Sequence, residues 1–181
     1  MFRDGPLSRR PPEEIRYGTG KCPLGRVLVA LSDKGIVTIM VRDTQAQLLR
    51  DLRARLPKAK LIHDEKGCAS IVKKVSGYIA APFRRFNLPL DIRGTELQKR
   101  VWDEVRKIPF GATSTYSLIA AAIGAPKAIR AVAGSCSRCW LAFVIPCHRV
   151  LHSGATQGSR REGPQYERVN YEAKLAAKRR R

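Results

Sequence analysis

The chain has 181 residues, 44% of them hydrophobic, enough for one domain or two small ones with a real core. Lys and Arg number 35 against 15 Asp and Glu, and the net charge of +20 argues for a polyanionic partner, nucleic acid before an anionic membrane surface. No run approaches the roughly 18 apolar residues of a spanning helix, and the opening MFRDGPLSRRPPEE lacks the apolar core of a signal peptide; the expectation is a cytoplasmic protein, not bound to membranes, whose five cysteines are thiols.

Residues 1–14 are polar and proline-rich and read as a flexible lead. EIRYGTG, GRVLVALS and GIVTIMV are short β-rich runs, the last two joined by the turn signal SDKG. TQAQLLRDLRARL places Leu48, Leu49, Leu52 and Leu56 at helical spacing, so a helix packs on that sheet. A second helix is expected over 67–80, before Pro82, and NLPLDIRG reads as an extended link to the second half. Thr95 and Gln98 match a capping box, followed by Leu97, Val101, Val105 and Ile108 on one face with Trp102 beside it.

STYSLIAAAIGAPKAIRAVAGSC then reads as helix, turn, helix, with Gly124 stopping the first helix and Pro126 opening the second. Ile129, Val132, Ala133 and Cys136 are expected on the buried side, with Lys127, Arg130 and Gly134 opposite. A helix-turn-helix in a basic chain points to DNA. The second helix nevertheless offers Ala128, Ala131, Gly134 and Ser135 where a base reader would carry Asn, Gln or several Arg. Small residues suit a groove about 6 Å wide better than base-edge readout, with Arg130 the lone long cation on a smooth surface. From Val105 to Arg161 there is no Asp or Glu, and that acid-free span suits phosphates.

FVIPCHRVLHSG lies inside the span. It sets a nucleophile, a proton acceptor and a fixed cation (Cys147, His148, Arg149) directly after an apolar run and a proline. Taken alone, the Cys-His pair fits either a site or a core cysteine beside a surface histidine. Cys136-x-x-Cys139 without a second pair is a weak metal signal, and the expectation is no metal and no organic cofactor.

The ordered set VW, IP-G, TY, IG-P-A-RAV and IPCHRV resembles the O6-alkylguanine-DNA alkyltransferases over about residues 15–158, most densely after residue 90. The resemblance implies an α/β fold: an RNase H-like sheet-and-helix domain, then a helical domain with a winged-helix-like helix-turn-helix. The expected division is a lead 1–14, an N-terminal α/β domain 15–90, a C-terminal domain 91–175 and a basic tail 176–181. It implies a monomer that binds double-stranded DNA containing O6-alkylguanine, accepts O4-alkylthymine too, and reacts once. Cys147 would take the alkyl group and His148 would act through a water as base, with Glu172 supporting it. Arg130 would enter the duplex and fill the gap left by the flipped nucleotide. Tyr116 would contact the flipped base, and Ser117, Gln98, Lys127 and Ser153 would meet the DNA, with Tyr116, Cys139 and Ser159 lining the substrate pocket. The chemistry agrees: an ordinary thiol titrates near about 8.5 and needs a base and cationic surroundings, and a stacked guanine must be extruded.

Three positions depart from the family pattern. Cys139 stands where the family usually has an asparagine that braces the helix-turn-helix. GSRREG replaces an aromatic G-Y-R-W-G loop, putting Ser159 and Arg161 in place of the aromatics. YERVNYEAK, which carries Glu172, replaces the usual C-terminal helix sequence. The alternatives are a non-catalytic lesion binder and a helix-turn-helix regulator. The retained Cys147 argues against the first, and the lack of base readers over 127–136 against the second.

Overall fold

The structure, a computed structural model, describes residues 12–81, 85–141 and 143–153. Three antiparallel strands come first: β1 (Glu14–Cys22), β2 (Gly25–Leu31) and β3 (Ile36–Arg42). At the β2–β3 turn Ser32 N–H donates to the Gly35 carbonyl at 2.9 Å. Gly35 has φ +143°, and a Cβ there would lie 2.6 Å from the Pro89 oxygen. Helix α1 (Gln45–Arg55) opens on a capping box between Thr44 and Gln47. A fourth strand, β4 (Lys60–His63), then pairs parallel to β1 and completes the order β3-β2-β1-β4.

Each face of the sheet has its own cover. Leu28, Ala30, Val37 and Met40 pack on Leu48 and Leu52 of α1 and on Leu56 at its C-cap. Val27, Val29, Leu31, Ile36 and Ile39 face the other way, toward α2 (Glu65–Ala80) and the second half of the chain. Burial on both faces is why β2 reads as an unbroken apolar run. The second helix starts two residues before the expected 67 because Asp64 caps it, accepting from Gly67 N–H at 2.7 Å. It also lies very close to β1: a Cβ on Gly18 would sit 2.5 Å from Cys68 Cβ.

The second half contains α3 (Glu96–Arg106), β5 (Ser114–Thr115), α4 (Tyr116–Ala122), α5 (Ile129–Ser137), a 3-10 turn (Cys147–Arg149) and β6 (Val150–Leu151). The Thr95–Gln98 capping box opens α3, and Val101, Trp102 and Val105 form its buried face. Trp102 donates its indole N–H to the Ser135 carbonyl at 2.9 Å, tying α3 to α5. The exposed edge of β3 holds the second half in two places. Ile36 exchanges backbone bonds with Pro89 and Asp91, both 2.9 Å. The Trp140 carbonyl accepts from Thr38 Oγ1 at 3.0 Å and from Ile39 N–H at 3.4 Å. One apolar cluster consequently runs from β2 and α2 through α3, α4 and α5 to Cys147.

Candidate active site

The Cys147 segment is shaped by its proline. Pro146 has φ −78° and ψ 59°, and Cys147 N–H reaches back to the Ile145 carbonyl at 2.7 Å, an inverse γ-turn. The chain then tightens into the 3-10 turn, with Arg149 N–H on the Pro146 carbonyl at 2.9 Å. Cys147 is 1% exposed, His148 6% and Arg149 7%. Burial of a full guanidinium is balanced locally: Arg149 Nη1 donates to the Ile108 carbonyl at 3.0 Å, and its charge sits 5.3 Å from the Phe110 ring centroid.

Strand β6 carries the chain from this turn to the start of α4. It pairs parallel with β5, Ser114 opposite Val150 and Thr115 opposite Leu151. Thr115 caps α4 by accepting from Leu118 N–H at 3.2 Å. Its hydroxyl meets Ser117 Oγ at 2.9 Å, and Ser117 Oγ meets Ser153 Oγ at 3.0 Å. The Tyr116 ring lies edge-on to His152, centroids 4.9 Å apart. Tyr116, Ser117 and Ser153 are thus gathered beside the Cys147 turn. Sequence reasoning passed over His152; its place two residues after Val150 in an extended segment was the only available signal.

The helix-turn-helix consists of α4 and α5, and Gly124 at φ +71° ends the first helix. Three expectations need correction. Pro126 lies in a turn before α5, which is capped at Ala128 and starts at Ile129, because Ala128 N–H closes a turn onto the Ala125 carbonyl at 2.8 Å. Ile129 is 42% exposed instead of buried. Ser135 is buried instead of outward-facing, its hydroxyl donating to the Ala131 carbonyl at 2.7 Å. The inner stripe therefore runs Val132, Ser135, Cys136 and, beyond the helix, Cys139. The outer side presents Lys127, Arg130 and Ala131, with exposed Leu118 on α4. Gln98 spends its side-chain oxygen on the Thr95 N–H at 2.9 Å, so a contact to DNA falls to its amide nitrogen.

Among the described residues the Cys147 thiol has thiols and apolar groups, and no unpaired cation, as its principal surroundings. The neighbouring thiols of Cys136 and Cys139 favour its protonated form and, together with burial, push the Cys147 thiol well above its ordinary range. Arg106 and Lys107, at the head of the acid-free span, pair back to Asp103 and Glu104. Lys127, Arg130 and Arg138 are exposed farther along it. Among the described residues no group of three His, Cys, Asp or Glu side chains is placed to hold a metal ion. Glu172, Ser159 and Arg161 lie outside the described residues.

Two family models match the sequence. The 6-O-methylguanine DNA methyltransferase, ribonuclease-like domain covers residues 15–92, and the 6-O-methylguanine DNA methyltransferase, DNA binding domain covers residues 96–174. The Bifunctional transcriptional activator/DNA repair enzyme Ada of Escherichia coli is 41% identical over 149 residues, 82% of this chain. The chain spans 42% of that relative's length. The Methylated-DNA--protein-cysteine methyltransferase, constitutive, of Bacillus subtilis is 31% identical over 167 residues, 87% of this chain and 98% of the relative. Among solved structures, Mycobacterium tuberculosis OGT in complex with DNA superimposes with a TM-score of 0.67 at 26% identity, covering 88% of this chain and 94% of that one.

Proposed function

The chain belongs to the 6-O-methylguanine DNA methyltransferase family, and on that premise we propose that it repairs DNA by taking the alkyl group of O6-alkylguanine, and of O4-alkylthymine, onto the sulfur of its own Cys147. The observation that carries the reading is the acceptor turn itself. Cys147 and His148 are consecutive on a rigid 3-10 turn whose following strand pairs with the strand leading into the helix-turn-helix. Chemistry and DNA contact are thereby built on one short sheet.

The O6-alkyl carbon is shielded in a stacked duplex, so the nucleotide must leave the stack at a cost of a few kcal/mol, least for a damaged pair. Arg130, exposed on the small-residue helix α5, enters the gap and offsets part of that cost. Lys127, Ser117, Ser153 and the Gln98 amide contact the backbone around it, and Tyr116 faces the extruded base. Cys147 sulfur then attacks the alkyl carbon as the bond from carbon to O6 breaks. His148 relays the thiol proton, and the departing guanine takes up a proton. Glu172 supports His148, and Cys139 and Ser159 border the pocket. The product is a thioether that nothing in the site cleaves, so each molecule acts once. Double-stranded DNA is the partner, and a monomer suffices because one chain supplies every role.

The test is a mass measurement. The protein is incubated with duplex containing O6-methylguanine and digested. A gain of one methylene on the Cys147 peptide, with stoichiometric loss of the lesion, is the expected result. Tight lesion binding without that gain would replace this reading with a non-catalytic binder.

A further inference from the structure

The backbone passes over an edge of the sheet at Trp140. Cys139 and Leu141, on either side of it, are buried in the cluster that runs to Cys147. The Trp140 ring packs against the other cluster, between the sheet and α1. The edge strand at this crossing is β3. The Trp140 carbonyl rests on it, accepting from Thr38 Oγ1 at 3.0 Å and from Ile39 N–H at 3.4 Å. Arg55, the last residue of α1, completes the arrangement. Its Nη1 donates to Thr38 Oγ1 at 2.9 Å, and its guanidinium carbon lies 6.0 Å from the Trp140 ring centroid, the outer reach of a cation–π contact.

We propose that Arg55 is a positioning residue for Cys147: acting through Thr38 and Trp140, it holds the segment that ends in the acceptor sulfur where that sulfur meets the alkyl carbon. The consequence for transfer rests on the reading of Cys147 as the acceptor; the hold on the segment does not. The direction of the link is fixed by its ends. A guanidinium only donates and a carbonyl only accepts, so the single Thr38 hydroxyl proton points at Trp140 and a lone pair at Arg55. Thr38 is fully buried, so a change at either end leaves a polar group in the interior without its partner. Arg55 is itself half-buried, and burial with the neighbouring Arg42 weakens its hold on its proton. Asp51 offsets part of this but is bonded to Arg42 at 2.9 Å. Among the described residues the Thr38 hydroxyl and the Trp140 ring are left as the direct partners of the Arg55 guanidinium.

From Trp140 the hold reaches Cys147 by short steps. Val144 and Ile145 donate their N–H groups to the Leu141 carbonyl at 2.9 and 2.8 Å, and Cys147 N–H donates to the Ile145 carbonyl at 2.7 Å. A segment wound this tightly moves as one piece, so a shift at Trp140 arrives at the sulfur. Attack on the alkyl carbon tolerates little of it: a misplacement of about 1 Å can cost about 10²-fold in rate. Lys127 and Arg130, exposed on the helix-turn-helix, form no part of the link. Duplex affinity and the placement of Cys147 are therefore separable quantities.

The experiment measures single-turnover transfer from O6-methylguanine duplex over a range of concentrations of the full chain, which separates half-saturation from the limiting rate. In parallel, Cys147 is alkylated with iodoacetamide without DNA and the site mapped by peptide mass. Arg55→Ala should lower the limiting rate about tenfold and leave half-saturation within about twofold. Thr38→Val, which keeps the shape of the side chain and removes the hydroxyl, should do the same. The double variant should be no slower than the slower single, because both substitutions break one link. Each single variant should take up iodoacetamide at Cys147 at least about threefold faster, the segment having loosened. An unchanged limiting rate, half-saturation weakened as much as the rate, or additive losses in the double variant overturns the proposal. So does a loss confined to the final yield, which reports misfolded protein. Thr38→Val decides the matter where Arg55→Ala does not fold. If the unsubstituted protein transfers no alkyl group, the functional reading fails and the iodoacetamide rates alone decide; equal rates in all the proteins overturn the hold of Arg55 on the segment.

Discussion

Arg149, two residues past Cys147, donates to the Ile108 carbonyl at 3.0 Å and so fastens the Cys147 turn to the loop after α3. Its charge is also placed over Phe110. A buried charged hydrogen bond is worth about 1.5–3 kcal/mol and the ring contact about 1 kcal/mol more. Arg149→Ala should lower the melting temperature by about 5–10 °C and slow alkyl transfer. Arg149→Lys should recover part of the stability only, because an ammonium lacks the flat fork that serves carbonyl and ring together. Thermal melts beside single-turnover rates check this; an unchanged melting temperature in Arg149→Ala would remove the clamp.

Arg130 is exposed on a helix of small residues. Arg130→Ala should slow transfer from duplex by about tenfold or more, the equivalent of roughly 1.4 kcal/mol of extrusion. Reaction with free alkylated guanine should change much less. Equal losses on both substrates would contradict a wedge.

Affinity for duplex should fall steeply with salt, with a log–log slope of about −0.9 per phosphate neutralised. Lys127→Ala should flatten that slope by about one such unit without altering sequence preference. A flat salt response in the unsubstituted protein would exclude the acid-free surface as the DNA face.

Folded Cys147 holds its proton more tightly than an ordinary cysteine because burial and two neighbouring thiols disfavour the thiolate. The unfolded chain ionises there at about pH 8.5. The neutral thiol's contribution is therefore fully present below that value and is lost as pH rises toward the folded one. Denaturant melts from about pH 7 to about pH 10 should show stability declining, with a shallower decline in Cys147→Ser. Alkylation of Cys147 by a small iodoacetamide should accelerate about tenfold per pH unit over the same range, since only the thiolate reacts.

Cys139→Asn restores the family residue and removes one thiol from the acceptor. A cavity of about 10 Å³ lined by Cys139, Trp140, Leu141 and Ile145 eases the small increase in volume. An amide able to satisfy buried backbone groups recovers about 1–2 kcal/mol, so the melting temperature should rise by about 2–6 °C. Transfer should quicken by about three- to tenfold. If both quantities stay level or fall, the surroundings have adapted to cysteine.

What the sequence disclosed was the chemistry written locally. Thr95 with Gln98, the turn over Ser32–Gly35 and Gly124 at the helix end each depend on neighbours within a few positions, and each is found as expected. The acceptor motif was visible for the same reason. What stayed hidden depends on partners far along the chain. Lys60–His63 is four residues long and becomes a strand by pairing with β1. Ile129 has the spacing of a core position, yet it is 42% exposed, and the buried face of α5 begins at Val132. The Arg149 bond to Ile108 spans 41 positions and leaves no local mark.

The bond from Thr38 to the Trp140 carbonyl bridges 102 positions, and that separation has a meaning during synthesis. On the ribosome, β3 is complete long before the acceptor turn exists, and domains form as their residues emerge. The growing chain thus prepares the ledge on which the Cys147 segment will rest, and that segment can dock only onto a strand already made.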